Sequence, residues 1–433
     1  MEIKRDFYLN KLISKKENGF IKIITGIRRC GKSYLLFNIY YKYLKSIGID
    51  DEQIIKISLD EIQNARYRNP IELDKFVRDS IKNKNKMHYV FIDEIQKVEE
   101  IQNPYIENKD SKLTFVDTLL GLMKIENVDI YVTGSNSKML SSDILTEFKD
   151  RGEEIKVNPL SYKEFVEYYG TSGYSAWQEY LTYGGMPLAV TKKTHEEKSK
   201  YLKDLFEKTY ITDVIERHNI KGNKNNLEEI LNIISSSIGS LTNPKKLSDT
   251  FKTMKKETIS TKTIARYLDY FIDAFLLNKA MRYDIKGKKY INTPLKYYFT
   301  DLGLRNARLN FRQQEENHIM ENIIFNELIM REFNVDVGVV DFYFKDENNK
   351  SKKKQFEVDF IANKGSKKYY IQSALNIDDE NKKEQETASL NRIDDSFKKI
   401  IITKNDILPW HDEKGILYLS IQDFLLKDKA LDW

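Results

Sequence analysis

The sequence predicts an α/β protein with a parallel sheet near its N-terminus, on three observations. Short apolar runs alternate with longer amphipathic ones through the first ~150 residues, the pattern of strands joined by crossover helices. Residues Gly26-Ile27-Arg28-Arg29-Cys30-Gly31-Lys32-Ser33 spell G-x-x-x-x-G-K-S between an apolar run, 20–24, and a helical stretch, 34–39. A third apolar run, 87–92, ends in two carboxylates, Asp93 and Glu94, about 60 residues after Lys32.

Each element follows from its local pattern. Candidate strands are Ile21–Thr25, Ile54–Leu59, Tyr89–Ile92, Asp129–Thr133 and Glu154–Val157. Glycines in a strand-to-helix loop let backbone N–H groups wrap phosphates, which the helix N-terminus also favours. The spacing therefore predicts a nucleoside triphosphate site formed by Gly26, Ile27, Arg28, Arg29, Cys30, Gly31, Lys32, Ser33 and Tyr34. Lys32 is expected to reach the β- and γ-phosphates, and Ser33 and Asp93 to hold Mg²⁺. Glu94 is expected to polarise the attacking water. The strand 129–133 runs into Gly134-Ser135-Asn136-Ser137. Ser135 and Asn136 are candidates to sense the γ-phosphate, with a plain turn and helix cap as the rival reading.

Composition bounds the rest. At 433 residues the chain calls for several domains, and 40% hydrophobic content supplies their cores. Without a ~20-residue apolar run or a signal-peptide core, a cytoplasmic protein is expected. The single cysteine, Cys30, excludes an intrachain disulfide or a cysteine zinc cluster. Its place in the loop predicts sensitivity to thiol reagents by steric blockage. The five histidines show no metal-ligand spacing. Net charge is only +5, yet residues 241–290 hold twelve Lys or Arg against five Asp or Glu. Such a basic segment suits nucleic acid.

Further on, the chain reads Phe148-Lys149-Asp150-Arg151-Gly152, then Pro159-Leu160-Ser161-Tyr162-Lys163-Glu164-Phe165, then Tyr183-Gly184-Gly185-Met186-Pro187. With the loop, the Asp-Glu strand and Thr133-Gly134-Ser135-Asn136-Ser137, these resemble prokaryotic AAA-type ATPases of the archaeal-ATPase group over nearly the whole chain. The resemblance implies a P-loop NTPase core (1–160), a helical lid (161–240), a winged helix (241–305) and a C-terminal restriction-endonuclease-like domain (306–433). It implies that Arg151 acts as an arginine finger, in cis or in trans, the latter requiring a homo-oligomer. It also implies ATP as the nucleotide.

Two helices, 243–255 and 260–278, flank a short break. The second starts at Ser260 and buries Ile264, Tyr267, Leu268, Phe271 and Phe275, leaving Lys262 and Arg266 outward where a recognition helix meets DNA. Ala280–Tyr283 and Lys289–Asn292 would form the wing. Farther on, Glu321 on a helix, Glu357 and Asp359 on one strand and Gln372 on the next resemble the PD-(D/E)xK nuclease core. Asp359 matches its aspartate, but Gln372 stands at the Glu position and Ala374 at the Lys position. A neutral Gln binds a hard cation weakly, and Ala374 cannot help activate water, so the domain is expected to be inactive. Lys368 is a candidate for a migrated lysine.

The expectation is an Mg²⁺-dependent ATPase switch acting with DNA. The alternatives are an ATP-regulated DNA endonuclease, using Glu321, Glu357 and Asp359, and a nucleotide-switch scaffold acting on a protein partner.

Overall fold

The computed structural model describes residues 2–107, 110–134, 148, 151–218, 220, 224–312, 315–345, 347, 349–377 and 379–433. The chain divides into two compact units, Met1–Pro159 with Asp273–Phe275, and Leu160–Ile272 with Leu276–Trp433.

The first unit holds a parallel sheet of β1 (Ile21–Thr25), β2 (Ile54–Ser58), β3 (His88–Asp93), β4 (Val128–Thr133) and β5 (Gly152–Lys156), in the order β2-β3-β4-β1-β5. Because side chains alternate along a strand, the sheet has two different faces. One is aliphatic: Ile23, Val90, Ile92 and Val132 pack with Leu73 of helix α1 (Pro70–Ser80) and Leu119 of α2 (Phe115–Leu122). Asn69 caps α1 by accepting from the Ile71 and Glu72 amides, with Pro70 fixing the first turn. The opposite face carries Lys22, Phe91, Asp93, Asp129, Tyr131 and Thr133, and meets the helical stretch 32–46 through Phe37 and Tyr40. Lys22 and Asp129 form a buried ion pair there, and Tyr131 donates to Asp129. Strand alternation thus aims Asp93 and Thr133 toward the helix that follows the phosphate loop.

In the second unit, helix α3 (Tyr162–Tyr169) begins with a Ser161–Glu164 capping box. Helices α4 (Lys224–Ser236), α5 (Pro244–Lys255) and α6 (Thr261–Asp273) precede a hairpin of β6 (Leu277–Asp284) and β7 (Lys289–Phe299). Then come α7 (Leu302–Arg308), α8 (Glu316–Met330), β8 (Asn334–Lys345), β9 (Ser351–Lys364), β10 (Lys367–Ala374), α9 (Glu380–Thr387), β11 (Lys398–Thr403), β12 (Trp410–His411), β13 (Leu417–Ser420) and α10 (Ile421–Leu426). One mixed sheet runs β12-β13-β11-β10-β9-β8-β6-β7. Residues 241–305, expected as a separate module, therefore give two strands to the sheet of 306–433, because β6 pairs in parallel with β8 at 337–339.

The Tyr183-Gly184-Gly185-Met186-Pro187 segment has a physical role in this unit. The buried Asp301 carboxylate accepts from the Gly185 amide at 2.7 Å and caps α7 through the Leu304 amide at 3.0 Å. A Cβ on Gly184 would fall 2.5 Å from that carboxylate, and one on Gly185 only 2.2 Å from the Leu160 carbonyl oxygen. Burial, opposed by these amide donors, pushes the Asp301 carboxyl up to about 6.

Candidate nucleotide site and a buried acidic cluster

β1 ends at Thr25 and the loop begins with Gly26 at φ 135°, where a Cβ would stand 2.0 Å from the Val157 carbonyl oxygen. Only glycine lets the loop pass so close. Within the loop, Lys32 is buried and its ammonium donates to the Gly26 and Ile27 carbonyls at 2.9 and 3.1 Å. Both partners are neutral carbonyl oxygens, which the oxygens of an anion can replace. Arg28 and Arg29 are exposed, Arg29 at a φ of 68°. Tyr34 is exposed and donates to Glu2 at 2.8 Å. Cys30 departs from expectation: its thiol is buried against the Val157 carbonyl at 3.3 Å, away from solvent. Arg5 fixes this wall by donating to the Cys30 and Asn158 carbonyls at 3.2 and 2.7 Å.

The Ser33 hydroxyl donates to Asp93 Oδ1 at 2.8 Å. Because β4 lies between β1 and β3, Thr133 at its end stands beside Asp93. The Thr133 hydroxyl donates to Asp93 Oδ1 and accepts from the Glu94 amide at 3.1 Å. Glu94 takes a left-handed backbone, φ 54° and ψ 48°, uncommon for a residue with a Cβ, and its carboxylate accepts from Gln96. One hydroxyl therefore orients both carboxylate-bearing residues. Sequence reasoning looked past Thr133 to Ser135 and Asn136, which lie outside the described residues. The available signal was that Thr133 ends a strand in register with the Asp93 strand.

The residues fit the cation that such a loop implies. Ser33 and Asp93 offer a hydroxyl and a carboxylate oxygen side by side at the loop's end, the hard donors that Mg²⁺ takes.

Comparison with known proteins adds to this geometry. A family model described as an AAA domain matches residues 18–166, and a second, described as a domain of unknown function, matches 174–315. An uncharacterized protein of Haemophilus influenzae is 33% identical over 431 residues, covering 98% of this chain and 99% of that one. An uncharacterized protein of Methanocaldococcus jannaschii is 31% identical over 424 residues, covering 93% and 85%. The chain belongs to a family of AAA-domain proteins. Among solved structures, the Walker-type ATPase PABY2304 of Pyrococcus abyssi aligns over 71% of this chain and 96% of its own, at 15% identity and a TM-score of 0.46. The Aeropyrum pernix ORC1 protein, solved in complex with DNA, aligns over 72% and 93% at 11% identity and a TM-score of 0.30.

Within the AAA domain, Arg151 does not join the loop. Its carbonyl accepts from the Ile21 amide at 3.0 Å, and β5 runs beside β1 from Gly152↔Ile21 to Lys156↔Thr25. Arg151 is therefore at the start of β1, about 16 Å of strand from the loop. The exposed Arg151 side chain is thus placed against a finger role toward its own loop.

In the second unit Glu321, Glu357 and Asp359 come together, around a residue the sequence did not single out. The Lys296 side chain is 4% exposed, and its ammonium lies 2.7 Å from both Glu321 Oε1 and Glu357 Oε1 and 3.7 Å from Asp359 Oδ1. The Tyr298 hydroxyl also donates to Glu321, at 2.5 Å. Burial opposes the charge on Lys296, but the attraction of Glu321, Asp359 and Glu357 outweighs it, and the ammonium is held above its usual range. Burial and the nearby Glu321 push the Asp359 carboxyl well above its usual range. Burial likewise opposes ionisation of Glu321, but Lys296, His318 and Tyr298 hold it down. Lys296, His318, Glu321, Glu357 and Asp359 line a cavity of about 650 Å³ with Gln372, which accepts from the Asp359 amide at 3.4 Å. Ala374 instead belongs to the apolar core. Lys368 lies over the Phe397 ring at 4.5 Å. Lys296 was not evident in sequence because it comes from the hairpin, outside the stretch in which the acids were found.

Helix α6 ends at Asp273, short of the expected 278, so Phe275, at a φ of 56°, lies beyond it; within it Ile264, Tyr267, Leu268 and Phe271 are buried, Lys262 and Arg266 are exposed, and Ser260 caps it by accepting from the Thr263 amide at 3.1 Å.

Proposed function

We propose that this AAA-domain chain binds ATP with Mg²⁺, hydrolyses it, and uses nucleotide state to rearrange a DNA-associated C-terminal part that does not cut DNA. The Ser33–Asp93–Thr133–Glu94 hydrogen-bonded set beside Lys32 carries the reading. Lys32 would exchange its loop carbonyls for β- and γ-phosphate oxygens, and Ser33 and Asp93 would hold the cation, which neutralises phosphate charge when bound. Glu94, its amide fixed by Thr133, orients the attacking water. If Arg151 serves as a finger, the β1–β5 register leaves it to act on the nucleotide of a second copy of the chain, and the hydrolysing form is then a homo-oligomer.

Two features support the DNA reading. The order α4, the Thr242↔Leu295 bridge, α5, α6, then the β6–β7 hairpin suits a winged helix, with Lys262 and Arg266 outward on α6. The order α8-β8-β9-β10-α9-β11, with β10 parallel to β11, suits a nuclease-like core. Its acidic cluster does not fit a divalent metal, since Lys296 occupies the centre of the three carboxylates and Gln372 replaces one ligand. No step of cleavage is assigned to it. The test is phosphate release measured with and without duplex DNA, beside a Lys262→Glu/Arg266→Glu variant. DNA stimulation that the variant loses supports the reading. Turnover indifferent to DNA, with no duplex binding, favours the protein-partner alternative.

A further inference from the structure

Strands β8 and β9 outrun the sheet that holds them. β8 pairs with β6 only at 337–339, and β9 with β10 only at 360–364. The two pair with each other from Val340↔Phe356 out to Lys345↔Ser351, so among the described residues this stretch is a two-stranded ribbon beyond the sheet. A two-stranded ribbon has no core of its own in which to bury apolar side chains. Yet this one presents Phe342, Tyr343 and Phe344 at 38%, 63% and 39% exposure. Lys345, Lys350, Lys352, Lys353 and Lys354 are exposed on it as well.

Alternation and register sort these groups. Phe342 and Phe344 share one face, and their cross-strand partners there are Lys354 and Lys352. Tyr343 and Lys353 take the other face, where Lys353 pairs with Asp341 at 2.6 Å. The Phe342 and Phe344 rings are nearly parallel, at 16°, with centroids 6.2 Å apart. A planar base sandwiched between two rings needs about 6.8 Å, twice the 3.4 Å stacking repeat. The two rings project from positions two residues apart on one strand, a spacing of about 6.8 Å at full extension, so a small side-chain rotation admits one. At the inner end the Arg392 guanidinium lies 4.9 Å from the Phe342 ring centre and 4.0 Å from that of Phe356.

We infer that this ribbon face binds single-stranded nucleic acid, with a base stacked against Phe342 and Phe344 and its flanking phosphates on Lys352 and Lys354. Unpaired bases offer the π-faces that a duplex hides, and aromatic platforms beside cations are how such strands are held without sequence preference. The inference rests on the nucleic-acid reading above but assigns a different element from α6 and a different form of the polymer.

Fluorescence anisotropy of the full-length protein with a labelled oligothymidylate tests it, with oligouridylate and a duplex as parallel arms. Phe344→Ala should weaken oligothymidylate binding by about tenfold, the loss of one base–aromatic stack, and Phe344→Trp should restore it. Lys352→Glu/Lys354→Glu should weaken it and flatten the log–log salt slope by about 1.4. Wild-type binding of the oligonucleotide untouched by the ribbon variants overturns the ribbon alone. Equal loss in Phe344→Ala and Phe344→Trp overturns the stacking. Absence of binding to every oligonucleotide, duplex included, overturns both this inference and the DNA reading; ribbon-dependent capture of duplex alone overturns the single-strand assignment.

Discussion

Ser33 Oγ donates a 2.8 Å hydrogen bond to Asp93 Oδ1, tying the end of the phosphate loop to the end of the third strand. Sixty residues of chain close on one contact because both lie at the carboxyl ends of parallel strands, where the crossover connections of an open α/β sheet leave a crevice. In this arrangement Asp93 is an acceptor poised to exchange a hydroxyl proton for a cation. Asp93→Asn keeps the size and removes the charge. We expect Mg²⁺-dependent phosphate release to fall by about 100-fold or more. Turnover within roughly threefold of wild type at saturating ATP and Mg²⁺ would contradict the assignment.

Thr133 should prove a positioning residue. Its hydroxyl serves Asp93 and the Glu94 amide together, while its methyl lies in a fully buried site. Thr133→Val keeps the shape and removes the hydroxyl, and should lower kcat by about tenfold with little change in KM. Thr133→Ser should recover most of the loss. Equal effects of Val and Ser would mean that packing, rather than the hydrogen bonds, matters there.

Lys296 should be required for folding stability more than for any reaction. Removing one member of a buried charged group strands the others, at a cost of about 3–5 kcal/mol. Lys296→Met should therefore unfold at markedly lower denaturant, and adding Glu321→Gln should recover part of the loss. Plasmid DNA should remain intact with the wild-type protein in Mg²⁺ or Mn²⁺. Cleavage that disappears in Asp359→Ala would reverse the conclusion on this domain.

Asp301 links the second unit's stability to pH. Its folded carboxyl is pushed up to about 6, above the ordinary 3.8, so the folded state binds the extra proton. The contribution is then fully present below pH ~4 and is lost as pH rises through ~6. Asp301→Asn cannot titrate. The stability difference between wild type and variant, from denaturant unfolding, should therefore shift against the wild type between pH 4 and 6. A difference flat across that window would show that the carboxyl titrates as in the unfolded chain.

The sheet of the first unit was readable because its signal is local. The apolar run at Ile21–Thr25 is β1 with both ends as expected, and the other strands differ by one or two residues at their ends. Asp93 and Glu94 were visible for the same reason, since a strand that ends in acids announces itself. Thr133 was not, because its importance comes from strand order: only the insertion of β4 between β1 and β3 brings its hydroxyl to Asp93. Arg151 could be seen as a candidate but not placed, since register alone puts it at the far end of β1. The three acids of the C-terminal unit, singled out by resemblance, stand around one lysine, whereas Lys296, from a hairpin expected to serve another module, was a tertiary fact. Cys30 shows the same limit on a smaller scale. Its position in the loop was legible, but the burial of its thiol against Val157 was not.

Phosphate release from ATP by the full-length protein should be measured with Mg²⁺ and with EDTA, alongside Lys32→Ala. We expect Mg²⁺-dependent turnover that EDTA abolishes, and a variant that neither turns over nor binds nucleotide at wild-type affinity. Nucleotide binding unchanged in Lys32→Ala, together with no Mg²⁺-dependent turnover in the wild type with or without DNA, would contradict the ATPase reading.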